Sequence, residues 1–285
     1  MKKLLIFLFV LAISFSIMGT IANADSSILG SADSFAVLGG SAVTNTGTSN
    51  IDGSVGVYSG SSIGGFTPGI ISDGTKHATD AVAQQAQSDV NTAYNALEKM
   101  SVTKDYSGTD LGTLTLTPGV YSFSSSAQLT GTLTLNAQYS NDAYWVFLIG
   151  SALTTASASS VNVITLGSDS GKDDGIFWVV GSSATLGTTT SFEGNILANQ
   201  SITLDTGATI LNGRALAEIG AVILDTNTIS IVCPNGGPGY NGGLEYNSDR
   251  TIVPIVPSSV PEPTTMLLLG LGLMGLAGVR RKFKN

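Results

Sequence analysis

Between Leu111 and Val232 one short phrase keeps returning: an apolar residue, then Thr, Ser and small residues. Leu153-Thr154-Thr155-Ala156-Ser157-Ala158 aligns with Leu186-Gly187-Thr188-Thr189-Thr190-Ser191. Leu204-Asp205-Thr206-Gly207-Ala208-Thr209 and Leu224-Asp225-Thr226-Asn227-Thr228-Ile229 follow. The interval is irregular, roughly 18 to 33 residues, and shortens along the chain. Recurrence on this scale marks a solenoid in which each unit is one coil of a β-helix. A single coil cannot bury its own apolar face, so its neighbours must stack on it.

The segment before the repeats speaks the same language. From Phe35 to Phe66 apolar residues alternate with Ser, Thr, Asn and Gly, which predicts short strands joined by Gly turns. The stretch from about Thr75 to Met100 differs: it has no Gly or Pro and is rich in Ala, Gln, Asp and Asn. Val82, Ala86, Val90, Ala93 and Leu97 recur at helical spacing, so one helix is expected over about 75–100, capped by Asp73 or Thr75. Its small residues suit close packing on something flat. Residues 233–260, punctuated by Pro234, Pro238, Pro254 and Pro257, read as a linker.

Both ends carry sorting signals. Residues 1–24 form a secretory signal peptide: Lys2 and Lys3, an apolar run from Leu4 to Ile17, and a small-residue cleavage site at Ala22-Asn23-Ala24. The other end, 261–285, pairs Pro261-Glu262-Pro263-Thr264 with an apolar run from Met266 to Val279 and a basic Arg280-Arg281-Lys282-Phe283-Lys284. That run is short for a stable span, which needs about 20 residues, so transient anchoring is expected. This tripartite tail resembles the PEP-CTERM sorting signal of Gram-negative bacteria. The resemblance implies an exosortase-type processing enzyme as partner, loss of the tail, and delivery to the cell surface or extracellular matrix. Gly270-Leu271-Gly272-Leu273-Met274-Gly275 spells a dinucleotide fingerprint, but lacks the strand–turn–helix context that chemistry needs.

Without the ends the charge is lopsided. Residues 25–260 hold six basic residues (Lys76, Lys99, Lys104, Lys172, Arg214, Arg250) against 19 acidic ones, a net of −13. No basic cluster exists for a nucleic-acid partner. A disulfide scaffold is excluded by the single Cys233. Catalysis is poorly supplied: Gly60-Ser61-Ser62-Ile63-Gly64 fits a nucleophile-elbow spelling, yet His77 is the one histidine and precedes most of the chain. Asp169-Ser170-Gly171-Lys172-Asp173-Asp174-Gly175 is similar to a calcium loop but has Asp174 where Gly belongs and no acid at the twelfth position, so an exposed turn is expected. No metal and no cofactor are implied. Trp145 and Trp178 belong in the core, and Arg214 and Glu193 are candidates for a pair at the solenoid edge.

The 66 Ser and Thr residues matter most through the repeats. In a strand, residues i and i+2 share a face. Thr155 with Ser157, Thr188 with Thr190, Thr206 with Ala208, and Thr226 with Thr228 should therefore form two parallel ranks. Such ranks would lie about 7 Å apart along the strand and about 4.8 Å apart between coils. Thr has a restricted χ1, so its hydroxyl and methyl are held in place. A stiff uncharged grid of this pitch can order surface water near the oxygen lattice of ice. The same residues are also what any exposed β surface favours, and the columns alone leave both readings open.

The body resembles the bacterial and fungal ice-binding protein family known as DUF3494 over about residues 27–232. Ser34-Phe35-Ala36-Val37-Leu38-Gly39, Val43-Thr44-Asn45-Thr46-Gly47 and Leu114-Thr115-Leu116-Thr117-Pro118-Gly119-Val120-Tyr121 carry it, with Phe192-Glu193-Gly194-Asn195-Ile196-Leu197 and Asn212-Gly213-Arg214-Ala215-Leu216-Ala217 further on. The resemblance implies a mainly β fold: a discontinuous right-handed β-solenoid of triangular cross-section with one long α-helix packed alongside, over residues 25–232. It implies an ice surface as partner and no enzymatic activity. It also implies a Thr-Ala/Gly-x-Thr/Asn face, matched in full by Thr206-Gly207-Ala208-Thr209, and it adds Ser41. The alternative is a non-catalytic surface or matrix adhesin binding extracellular polysaccharide.

Overall fold

The computed structural model describes residues 27–168, 170–171, 173–232 and 240–255. The signal peptide, Cys233, the sorting motif with Pro261, Glu262 and Pro263, and Asp169 and Lys172 of the calcium-like loop lie outside the described residues.

The chain winds through three parallel sheets, here called A, B and C, of 9, 7 and 8 strands. One coil visits each sheet in turn, as in Gly175–Val180 (A), Ala184–Leu186 (B) and Ser191–Glu193 (C). The solenoid is discontinuous. Phe35–Gly39 of the first coil pairs with Ala215–Ala217 of the last, with Val37 opposite Ala215. The seam continues through Val43 opposite Val222 in sheet B and Ile51 opposite Ile229 in sheet C.

Burial explains which sheet has which sequence pattern. Every residue of Gly175–Val180 is buried, because sheet A faces the solenoid core on one side and the helix on the other. Strands of sheets B and C alternate, as in Ile202–Leu204 of B and Thr209–Leu211 of C, because their outer face meets water. Inside, Tyr121, Phe147, Trp178 and Phe192 stack across coils, with Phe147 and Trp178 nearly parallel at 3.9 Å between ring centres. Each buried indole N–H finds a carbonyl: Trp145 donates to Leu116 at 3.3 Å and Trp178 to Glu193 at 3.1 Å.

The helix, α1, spans Ala81–Leu97 and is shorter than expected. Lys76–Ala78 is instead the outermost strand of sheet A, and the cap is Asp80, whose carboxylate accepts from the Ala83 N–H at 2.8 Å. Ala86, Val90, Ala93, Tyr94 and Leu97 lie on Leu38, Val146, Phe177, Leu197 and Leu216 of sheet A. Val82 is turned to solvent, 48% exposed.

Two further expectations are corrected. Arg214 does not pair with Glu193. It turns inward beneath the N-terminal segment, 1% exposed, and binds the Asp33 carboxylate at 2.8 Å, the Asp33 carbonyl and the Asn195 side-chain oxygen. Glu193 points out of sheet C and accepts from the Asn212 amide instead. Within the stretch read as a linker, residues 240–255 are structured: Leu244–Tyr246 and Ile252–Pro254 form an antiparallel hairpin. Leu244 and Ile252 join the apolar cluster on the helix side, and Tyr240 enters the solenoid core. Asn195 donates to the Tyr240 carbonyl at 2.7 Å and Asn241 to Asp33 at 2.5 Å, so the hairpin is stitched to the Arg214 clasp.

Candidate functional site

The repeated Leu-Thr phrase does not fall on the middle of a strand. It falls on the corner between sheets B and C, where backbone at positive φ interrupts the pleat. Ala158, Thr189, Gly207 and Thr226 occupy that left-handed position at φ of 58°, 56°, 73° and 56°. An i, i+2 pair that straddles such a residue does not share a face.

The expected site residues therefore scatter. Thr155, Thr190 and Ala208 are buried, at 3%, 0% and 0% exposure, and belong to no surface. Thr155 has taken an inward position in the column that Leu129 shares, because the true register sets Leu153 opposite Ala184 rather than Leu186. Its hydroxyl bonds to that of Thr190 at 2.8 Å and accepts from the Gly187 N–H at 2.9 Å. Thr190 also donates to the Ala156 carbonyl. These hydroxyls satisfy turn groups that would otherwise be buried unpaired. Asn227 does the same two coils beyond Thr190, donating to the carbonyls of Asp205 and Ala208, both at 2.9 Å.

Ser157, Thr188, Thr206 and Thr226 are exposed on the corner itself. Thr206 and Thr226 are not in one rank: the turn from Leu224 to Thr228 is one residue shorter than that from Leu204 to Thr209, so Thr206 neighbours Asp225 and its hydroxyl donates to that carboxylate. Thr228 is exposed on sheet C, and Ser41 is exposed on the opposite corner, between sheets A and B.

A continuous grid exists one strand position earlier. On the outer face of sheet B, Gln128, Thr154, Thr185, Thr203, Ile223, Thr44 and Gly64 stand directly opposite one another from coil to coil. Beside them runs a second file, Ser126, Ala152, Ser183, Ser201, Ala221, Ala42 and Ser62, tied by coil-to-coil backbone bonds such as Ala184 N–H to Ser201 and Ile202 N–H to Ala221. The serines are clamped: Ser183 and Ser201 each accept an N–H from the next coil, at 3.3 and 3.2 Å. No residue in either file is charged. Coil spacing is about 4.8 Å and file spacing about 7 Å, as strand geometry requires. Asp205 and Asp225 stand at the corner edge, outside both files. Sequence reasoning missed this face although the signal was present: Thr154, Thr185 and Thr203 each sit between two inward apolar or small residues.

Sheet C offers a less regular surface. Thr132, Ser160, Ser191, Thr209, Thr228 and Asn50 form one file. Its companion positions hold Glu193, Leu211, Ser230 and Asp52. Burial pushes the Glu193 carboxyl up to about 7, with the Asn212 bond opposing that shift. Between Ser160–Ile164 and Ser191–Glu193 only one residue pair is in register, so the sheet is locally irregular.

Comparison with known proteins agrees with this architecture. A model of a PEP-CTERM protein-sorting motif matches residues 259–282. An ice-binding protein of Nostoc sp. (strain HG1) is 50% identical over 276 residues, covering 96% of this chain and 94% of that protein. The crystal structure of an ice-binding protein from the Antarctic ascomycete Antarctomyces psychrotrophicus superposes with a TM-score of 0.66 at 41% identity, over 71% of this chain and 96% of that one. An ice-binding protein from an Antarctic biological consortium gives 0.66 at 44% identity, over 75% and 96%. With an ice-binding-like family model matching residues 37–230 as well, the chain belongs to that family.

Proposed function

We propose that this protein adsorbs to ice through the outer face of sheet B and thereby restrains ice growth and recrystallisation. One observation carries the reading: two uncharged files, mostly Thr, Ser and Ala, with one member of each at or just before every strand of the 7-stranded sheet. The outer face of sheet A is covered by α1, and sheet C carries the Glu193 and Asp52 carboxylates beside its Thr/Ser file. The restricted Thr side chains of sheet B hold hydroxyls as water anchors and present methyls that turn neighbouring water toward cage-like order. Water so ordered merges with the crystal, and growth is confined to curved fronts between adsorbed molecules. The action is non-catalytic and uses ice as partner.

The sorting motif marks an extracellular or cell-surface protein. Our reading adds removal of residues 1–24, transient anchoring by the tail, and exosortase-type cleavage in a Gram-negative host. Ile255, whose N–H bonds the Gly243 carbonyl at 3.0 Å, ends the described hairpin on the helix side. A chain held from that point keeps sheet B away from its attachment.

Thermal hysteresis and ice shaping of the purified protein test the reading. Thr203→Tyr should abolish most of the hysteresis while leaving circular dichroism and melting temperature unchanged. A folded Thr203→Tyr variant with full hysteresis would remove sheet B as the site.

A further inference from the structure

A groove of about 430 Å³ lies between the C-terminal half of α1 and the tip of the hairpin, on the helix side and outside sheet B. That volume falls in the range of small-ligand sites, about 300–1,000 Å³. Its floor is apolar: Ala96, Met100 and Ile252. Its two rims carry Lys99 from the end of the helix and Arg250 from the hairpin turn.

The distribution of cations makes this groove unusual. In a body with net charge −13, three other basic side chains are engaged elsewhere among the described residues. Arg214 is buried against Asp33, Lys76 lies over the Phe66 ring and Lys104 over the Tyr106 ring. Among the described residues Lys99 and Arg250 have no carboxylate within ion-pair distance, although Asp249 lines the same groove and Glu98 adjoins Lys99 in the chain. Two cations thus line one groove where the negative end of a helix and two nearby acids would otherwise repel an anion.

Hydrogen-bond capacity along the groove is preset for a hydroxylated ligand. The Asn91 amide donates to Glu218 at 2.9 Å, and the Asn95 amide donates to the Asn91 side-chain oxygen at 3.0 Å. The Thr92 hydroxyl donates to the Ser88 carbonyl at 2.9 Å. With these donors committed, the Asn95 oxygen and the Thr92 oxygen remain as acceptors for incoming hydroxyl groups.

We propose that the groove binds a uronic-acid unit of an acidic polysaccharide. Lys99 and Arg250 hold its carboxylate, the Asn95 and Thr92 oxygens accept from its hydroxyls, and the ring's C–H face rests on Met100 and Ile252. The site is independent of sheet B, so one molecule could hold matrix glycan behind and ice in front.

Calorimetric titration of the protein with trigalacturonate, maltotriose and acetate tests this. Trigalacturonate should bind, and each of Lys99→Ala and Arg250→Ala should weaken it about tenfold, the equivalent of one charge-assisted hydrogen bond of about 1.5 kcal/mol. Maltotriose should be silent, and acetate should bind far more weakly than the sugar. Hysteresis should be unchanged in both variants, which separates this site from the ice face. The proposal falls if trigalacturonate gives no binding at millimolar concentration, or if the double variant retains it. Equal binding of maltotriose would remove the role of charge, and equal binding of acetate would remove the sugar.

Discussion

Sheets B and C are built from the same coils, and both are rich in Thr and Ser, yet only one is a lattice. In sheet B the register passes without a break from Gln128 to Gly64, and the second file repeats it with Ser and Ala. In sheet C a comparable first file, Thr132 to Asn50, is flanked by Glu193, Leu211 and Asp52 and crosses an irregularity between two coils. Composition alone would rate the two faces alike. What separates them is whether the register runs unbroken from coil to coil.

The largest effect that would sharpen this comparison is on sheet B. Thr185→Tyr places a bulky ring in the middle of the file and should eliminate nearly all hysteresis with no loss of melting temperature. A full-activity variant would make the two faces equivalent. Next comes Thr155→Val, which removes a hydroxyl from behind the sheet and leaves the Gly187 N–H without its acceptor, while Thr190 keeps the Ala156 carbonyl. Urea unfolding should register about 1–3 kcal/mol of lost stability, while hysteresis per folded molecule stays constant.

A smaller effect is expected at Glu193. Its carboxyl is held up to about 7 by burial, above its ordinary value of 4.5, so the folded state binds more protons across that interval. Stability should accordingly decline as pH rises from about 4.5 to about 7. Glu193→Gln should flatten that slope, by about 1 kcal/mol once partial exposure is allowed for. A variant with the same pH profile as the parent would place the titration elsewhere. Least of all should happen with Thr228→Tyr on sheet C, where hysteresis is expected to change little. A collapse there as large as for Thr185→Tyr would transfer the ice face from B to C.

The recurrence of Leu and Thr was enough to read a solenoid with one packed helix, and Ala86, Val90, Ala93 and Leu97 were legible as its buried stripe. The surface itself was not. Thr155 looks like Thr188 in a text alignment, but strand pairing sets Thr154 opposite Thr185, and a shift of two positions moves the phrase from strand to corner. Corner turns of unequal length, with Thr189 and Thr226 at positive φ where Gly207 would be expected, hide that shift. Lys99 and Arg250, about 150 residues apart in sequence, are brought together only because the hairpin folds back, which a Pro- and Gly-rich stretch did not announce.

The stacking of Val222–Asp225 directly on Ala42–Thr46 has a consequence for when the protein becomes able to see ice. Two adjoining strips of the template come from residues 42–46 and 222–225, so a chain not yet extended past Asp225 lacks their junction.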